Sequence, residues 1–152
     1  MNAEAYVIAN AAQARLMVRS DPDGPLRPVV TLEHPESRLT GHELATDRMG
    51  QGLADQRGGA GTVYEPKTDT RRKEHARFAR EVAQHLKSGL RAREFERFVL
   101  FASSPFLGEL KAVLDDELRR ALRAAVDVDL TSYEHRDLEQ RVADALKTAG
   151  AG

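Results

Sequence analysis

The residues best suited to chemistry lie in a stretch with no apolar periodicity. Residues 35–69 hold six of the chain's eleven glycines, and the centre reads Thr46-Asp47-Arg48-Met49-Gly50-Gln51-Gly52-Leu53, followed by Arg57-Gly58-Gly59-Ala60-Gly61. Glycine reaches positive φ at no steric cost, so Gly50 and Gly52 allow the backbone to approach a partner closely. Arg48 and Arg57 offer donors that match phosphate oxygens. Gln51 both donates and accepts hydrogen bonds, which makes it the one candidate for a catalytic side chain. A connection of this length inside a domain is usually either functional or disordered. The alternative is an ordinary surface loop, because Glu36, Glu43, Asp47 and Asp55 balance Arg38, Arg48 and Arg57 and the segment is no basic arm.

A second cluster follows. Residues 67–80 carry Lys67, Arg71, Arg72, Lys73, Arg77 and Arg80 against only Asp69 and Glu74. With Thr70 as N-cap, the Arg71-Arg72-Lys73 run falls at a helix N-terminus, where the helix dipole favours acids. A phosphate on the exposed N–H groups would relieve that conflict; a solvated basic turn is the plainer reading. The candidate phosphate-binding set is therefore Arg48, Gly50, Gln51, Gly52, Arg57, Arg71, Arg72 and Lys73.

Other chemistries find little. The chain has no cysteine, which excludes disulfides, thiolate catalysis and Cys-ligated zinc. His34, His42, His75, His85 and His135 lack metal-ligand spacing. Asp127 and Asp129 flank an expected strand without an acidic partner, and Asn10 stands where a metal-binding acid would be needed, so a two-metal nuclease is not expected. No nucleophile elbow or P-loop is present. The expectation is no metal and no cofactor.

The elements that would position these residues follow from periodicity. Tyr6–Ala9 is a continuous apolar run, as in a strand buried on both faces. Residues 14–19 alternate, with Ala14, Leu16 and Val18 on one side, and predict a half-buried strand. Asp21–Pro25 is a turn cluster, and Val29–Glu33 a third strand. Phe78, Val82 and Leu86 then recur at helical spacing, with Gly89 as the C′ residue. Phe98–Ala102 reads as a buried strand. Ser104 as N-cap and Pro105 at N1 start another helix, and Asp115-Asp116-Glu117 a short one. Ala125–Leu130 suits a fifth strand. Thr131 or Ser132 with Glu134 opens a last helix whose stripe is Leu138, Val142 and Leu146.

The order β-β-β, loop, α-β-α-α-β-α predicts an α/β fold: a mixed five-stranded sheet, three antiparallel strands then α-crossovers, covered by helices. Right-handed crossovers would make the fourth and fifth strands parallel to the first. At 152 residues one domain over 1–152 is expected, with the Gly-rich loop at 35–69. A net charge of −1, no membrane-length apolar run and no basic leader suggest a soluble, cytoplasmic chain without a membrane partner.

Six segments in order carry a resemblance: Val7–Leu16, Thr46–Gly50, Tyr64–Asp69, Phe78–Glu81, Phe106–Leu110 and Asp129–Thr131. Together they resemble the bacterial family known as host attachment protein, or protein required for attachment to host cells. That family is grouped with relatives of the central domain of archaeo-eukaryotic release factors. The resemblance implies an RNase H-like, release-factor-type domain whose loop after the third strand enters the ribosome, with the ribosome, tRNA or rRNA as partner. In release factors a Gly-Gly-Gln tip assists hydrolysis of peptidyl-tRNA; here Met49 replaces one glycine before Gly50-Gln51. The expected function is translation-associated RNA or ribosome binding. The alternative is a non-enzymatic protein-interaction module acting on attachment indirectly.

Overall fold

The computed structural model describes residues 3–34 and 64–150, with only the backbone given for 64–69. Three strands come first: β1 (Glu4–Ala9), β2 (Gln13–Arg19) and β3 (Arg27–Glu33). They are followed by α1 (Tyr64–Arg91), β4 (Arg97–Ala102), α2 (Phe106–Ala112), α3 (Asp116–Ala121), β5 (Leu122–Asp127) and α4 (His135–Thr148). The sheet order is β3-β2-β1-β4-β5. β1 pairs antiparallel with β2, β2 antiparallel with β3, and β1–β4 and β4–β5 are parallel. This is the mixed five-stranded sheet the element order predicts.

Two cores sandwich the sheet. On one face Phe78, Val82 and Leu86 of α1, with Phe106 and Leu118, bury Val7 and Leu100. On the other, Leu138, Val142 and Leu146 of α4 cover Tyr6, Ile8 and Phe101. Every residue of β1 is buried, as expected of a central strand flanked by helices. β2 is covered on both sides rather than one: Met17 joins the α4 core, and Arg15 is turned inward to bond main-chain carbonyls.

Several boundaries differ from expectation, each for a physical reason. α1 begins at Tyr64, so residues 64–69 are helix and the connecting segment ends at 63. Pro66 is the third helical residue, where the amide has no intrahelical acceptor to lose. Thr70 is consequently inside α1 and not its N-cap. Gly89 also lies inside α1 and is not its C′ residue. A Cβ there would come within 2.5 Å of the Phe95 ring, so this glycine serves close packing. The helix ends instead with Arg93 at φ 61, where Arg93 N donates to Leu90 O (3.1 Å) and Glu94 N to Gly89 O (2.9 Å). That pair of bonds is a Schellman motif.

Ser104 does not cap α2; Pro105 occupies the N-cap position, after a cis peptide bond. β5 starts three residues before its expected Ala125 and ends at Asp127, while Leu130 beyond it is buried under α4. The N-cap of α4 is Glu134, with no side-chain cap bond, and not Thr131 or Ser132; Thr131 bonds Asp129 instead. α3 opens on the expected Asp115-Asp116-Glu117 run, and Asp115 is its N-cap, accepting from Leu118 N at 2.9 Å. No helix among the described residues is long and apolar enough to cross a membrane.

Candidate nucleic-acid interface

β1, β4 and β5 all deliver their carboxyl ends to one edge of the sheet, the edge where α/β folds generally place ligands. Polar side chains converge there, and each is bound to another part of the protein. Asn10 Oδ1 accepts from Ala12 N (2.8 Å) and Gln13 N (3.0 Å), closing the β1–β2 turn. Its Nδ2 donates to Thr131 Oγ1 (3.0 Å). Thr131 Oγ1 in turn donates to Asp129 Oδ1 at 2.6 Å, and Thr131 N donates to the same oxygen at 2.9 Å. Asp127 accepts from Ser104 N (3.0 Å) and Ser104 Oγ (2.9 Å). Arg15 Nη2 reaches the carbonyls of Tyr133 (2.8 Å) and Thr131 (3.1 Å). Asn10 and Arg15 thereby fasten the 128–133 loop to the sheet. Among the described residues no three His, Asp or Glu side chains are grouped to hold a metal.

The same edge carries the start of α1. His34, directly after β3, is buried between strand and helix. Its Nε2 lies 3.0 Å from Glu74 Oε2, and its ring stacks on Phe78 at 5.2 Å. Glu74 Oε1 also meets Arg77 Nη2 at 3.2 Å. The carboxylate nearest the basic cluster is therefore turned toward the core side of the helix. His75 packs edge-on against Phe106; burial, together with His34 and Arg71, lowers its pKa from 6.5 and favours neutral imidazole.

Around this anchor the cations stand in solvent. Arg71, Arg72, Lys73, Arg77 and Arg80 are all exposed. Lys73, Arg77 and Arg80 recur at i, i+4 and i+7 and share one face. That face continues through Lys87 and Arg91, about 27 Å of helix at 1.5 Å per residue. The far half is neutralised: Lys87 pairs with Asp115, and Arg91 Nη2 lies 3.3 Å from Glu117 Oε1. Hydrogen bonds from Lys87 and from Leu118 N lower the Asp115 pKa. In the near half, no described residue forms an ion pair with Arg71, Arg72, Lys73 or Arg80.

The structure places Arg71, Arg72 and Lys73 in solvent on successive residues of α1; neighbours one and two apart on a helix do not face each other, so Lys73 shares its face with Arg77 and Arg80 while Arg71 lies on another side. It removes the helix-terminus argument for them, since they lie more than a turn inside α1 and the terminal N–H groups are elsewhere. Arg48, Gly50, Gln51, Gly52 and Arg57 lie outside the described residues. The His34–Glu74 contact joins residues 40 apart in sequence, and no local pattern signals it.

The family described as "Protein required for attachment to host cells" matches residues 6–142. The chain belongs to this family. The match bears out the family resemblance read from the six segments; it does not extend to release factors. No curated protein matches the chain. Among solved structures, the chain is similar to the Aquifex aeolicus Ppx/GppA phosphatase, type II variant, at 13% identity and a TM-score of 0.39, covering 84% of this chain and 36% of that one. It is also similar to a chain of the PilM–PilN type IV pilus biogenesis complex, at 19% identity and a TM-score of 0.41, covering 99% and 46%. The chain spans less than half the length of either.

Proposed function

We propose that this family member binds RNA through the phosphate backbone, using the exposed first half of α1, with the ribosome as the RNA-bearing partner. The observation that carries the reading is the charge on that surface. Arg71, Arg72, Lys73, Arg77 and Arg80 are exposed, while the single intervening carboxylate, Glu74, is held against His34. Cations in such an array serve the salt-dependent, sequence-independent part of nucleic-acid binding. The strand order, with β2 antiparallel beside a parallel β1-β4-β5 set, is consistent with the RNase H-like topology the release-factor resemblance implies. In this reading residues 47–53, with Arg48, Gly50, Gln51 and Gly52, add contacts from the segment that joins β3 to α1, and Arg57 follows them.

The test is salt-dependent binding to structured RNA and co-sedimentation with ribosomes, comparing the native protein with Arg71→Glu plus Arg72→Glu. Each lost phosphate contact reduces the log–log salt slope by about 0.7–0.9. Affinity is expected to drop at least about tenfold at low salt, as expected from losing two phosphate contacts. Unchanged affinity and slope in the double variant would overturn the proposal. Capture of a partner that survives nuclease treatment and is flat with salt would favour the protein-interaction alternative.

A further inference from the structure

The two borders of the sheet are built differently, and one of them is left open. β3 carries Pro28 and a register shift at Val29, features that discourage pairing with a further strand. β5 pairs with β4 on one side and has no strand neighbour on the other among the described residues. Its register shift is confined to Arg123, and Ala124 to Asp127 then run in unbroken register. Every residue from Leu122 to Val126 is half-buried, whereas the central β1 is buried throughout. The middle of the border is Ala124-Ala125-Val126, without Pro or Lys. Unpaired N–H and C=O groups along such a strand are a template for another strand.

The start of β5 is tied down from inside the chain. Glu4 lies in register with Arg19 of β2 and Arg97 of β4. Its Oε1 accepts from Arg123 Nη2 at 2.9 Å and from the Tyr6 hydroxyl at 2.6 Å, so Arg123 is already engaged. The residues before and after the strand are not. Arg119 and Arg120, which close α3, are exposed and form no ion pair among the described residues. Past the other end, exposed Asp127, Asp129 and Asp144 rim a groove of about 450 Å³ lined by Val126, Val128 and Tyr133. These carboxylates bond the neutral groups of Ser104, Thr131 and Gln140. One residue of opposite sign stands near each end, Asp116 and Arg141, and Arg141 lies over the Tyr133 ring at 4.5 Å. The strand therefore runs from a basic end to an acidic one.

We propose that β5 pairs antiparallel with β5 of a second copy, joining two five-stranded sheets into one continuous sheet. Pairing about a two-fold axis is self-complementary. It lays the Arg119–Arg120 end of each copy beside the acidic end of the other, which is why the charge pattern selects a second copy. A parallel arrangement would set like charges together, which is destabilising. The proposal goes beyond the reading given for α1 and does not rest on it.

Sedimentation at low salt should give twice the 16.8 kDa mass of one chain, with association weakening as salt rises. Arg119→Glu plus Arg120→Glu, at exposed positions, should weaken association about tenfold or more. The chain has no cysteine, so Ala125→Cys places a single thiol at the proposed axis. Facing residues there lie about 5 Å apart, and a short bismaleimide should join two copies. Val29→Cys, on β3, should yield no joined product. A one-chain mass for the native protein at every concentration would overturn the proposal and leave the border to a strand of another protein. Joining through Val29→Cys alone, or unchanged association in the charge variant, would overturn it as well.

Discussion

At the carboxyl edge of the sheet, Asn10, Asp127, Asp129, Thr131 and Ser104 have the side-chain types of an active site, and they are bound to one another and to loop amides. On the first half of α1 the side chains are unremarkable basic residues, and Arg71, Arg72, Lys73 and Arg80 have no ion-pair partner among the described residues. The first region stabilises the fold because its polar groups are satisfied within the chain. The second has no ion-pair partner among the described residues for Arg71, Arg72, Lys73 or Arg80, which is what the proposed reading needs. Partner geometry puts the second region first, in line with the missing acidic partner that already counted against Asp127 and Asp129.

The comparison is sharpened most by removing a carboxylate that is engaged. Glu4→Ala removes a buried carboxylate bonded by both Arg123 and Tyr6 and should cost about 3 kcal/mol in chemical denaturation. Burial alone would raise the Glu4 pKa; hydrogen bonds from Arg123 and Tyr6 outweigh it and hold it below 4.5. A lowered folded value means this stability is present above pH 4.5 and is lost as pH falls through the folded value. The native protein should therefore lose more stability on acidification than Glu4→Ala does. Asn10→Ala, at the carboxyl edge, removes the acceptor for two backbone amides and the tie to Thr131. It should cost about 1–2 kcal/mol. Arg72→Gln plus Arg80→Gln, on α1, should change stability by no more than about 0.5 kcal/mol. A cost equal to that of Asn10→Ala would break the distinction between the two regions.

The sheet was legible because its strands are short apolar runs separated by turn residues, and because handedness dictates the parallel crossovers. The start of α1 was not, since Pro66, Thr68, Asp69 and Thr70 read as a loop while a helix tolerates them in its first turns. Gly89 looked like a terminator because only the distant ring of Phe95 explains its missing side chain. The basic cluster was visible as composition, but its setting was misread along with the helix boundary. The row of Glu4, Arg19, Arg97 and Arg123 was invisible. Its members are scattered over 120 residues and meet only through register.

The Glu4–Arg123 link has one more consequence. It passes over β4 and joins the outermost strand to the central one. β3, at the opposite border, has ladder bonds to β2 but is interrupted by Pro28 and by a register shift at Val29. Fraying at the two borders should therefore be unequal. Beyond His34 at its end, β3 has β2 as its one strand neighbour, whereas opening β5 also means breaking a link to β1, so amide hydrogens along β5 should exchange more slowly than those in the first half of β3.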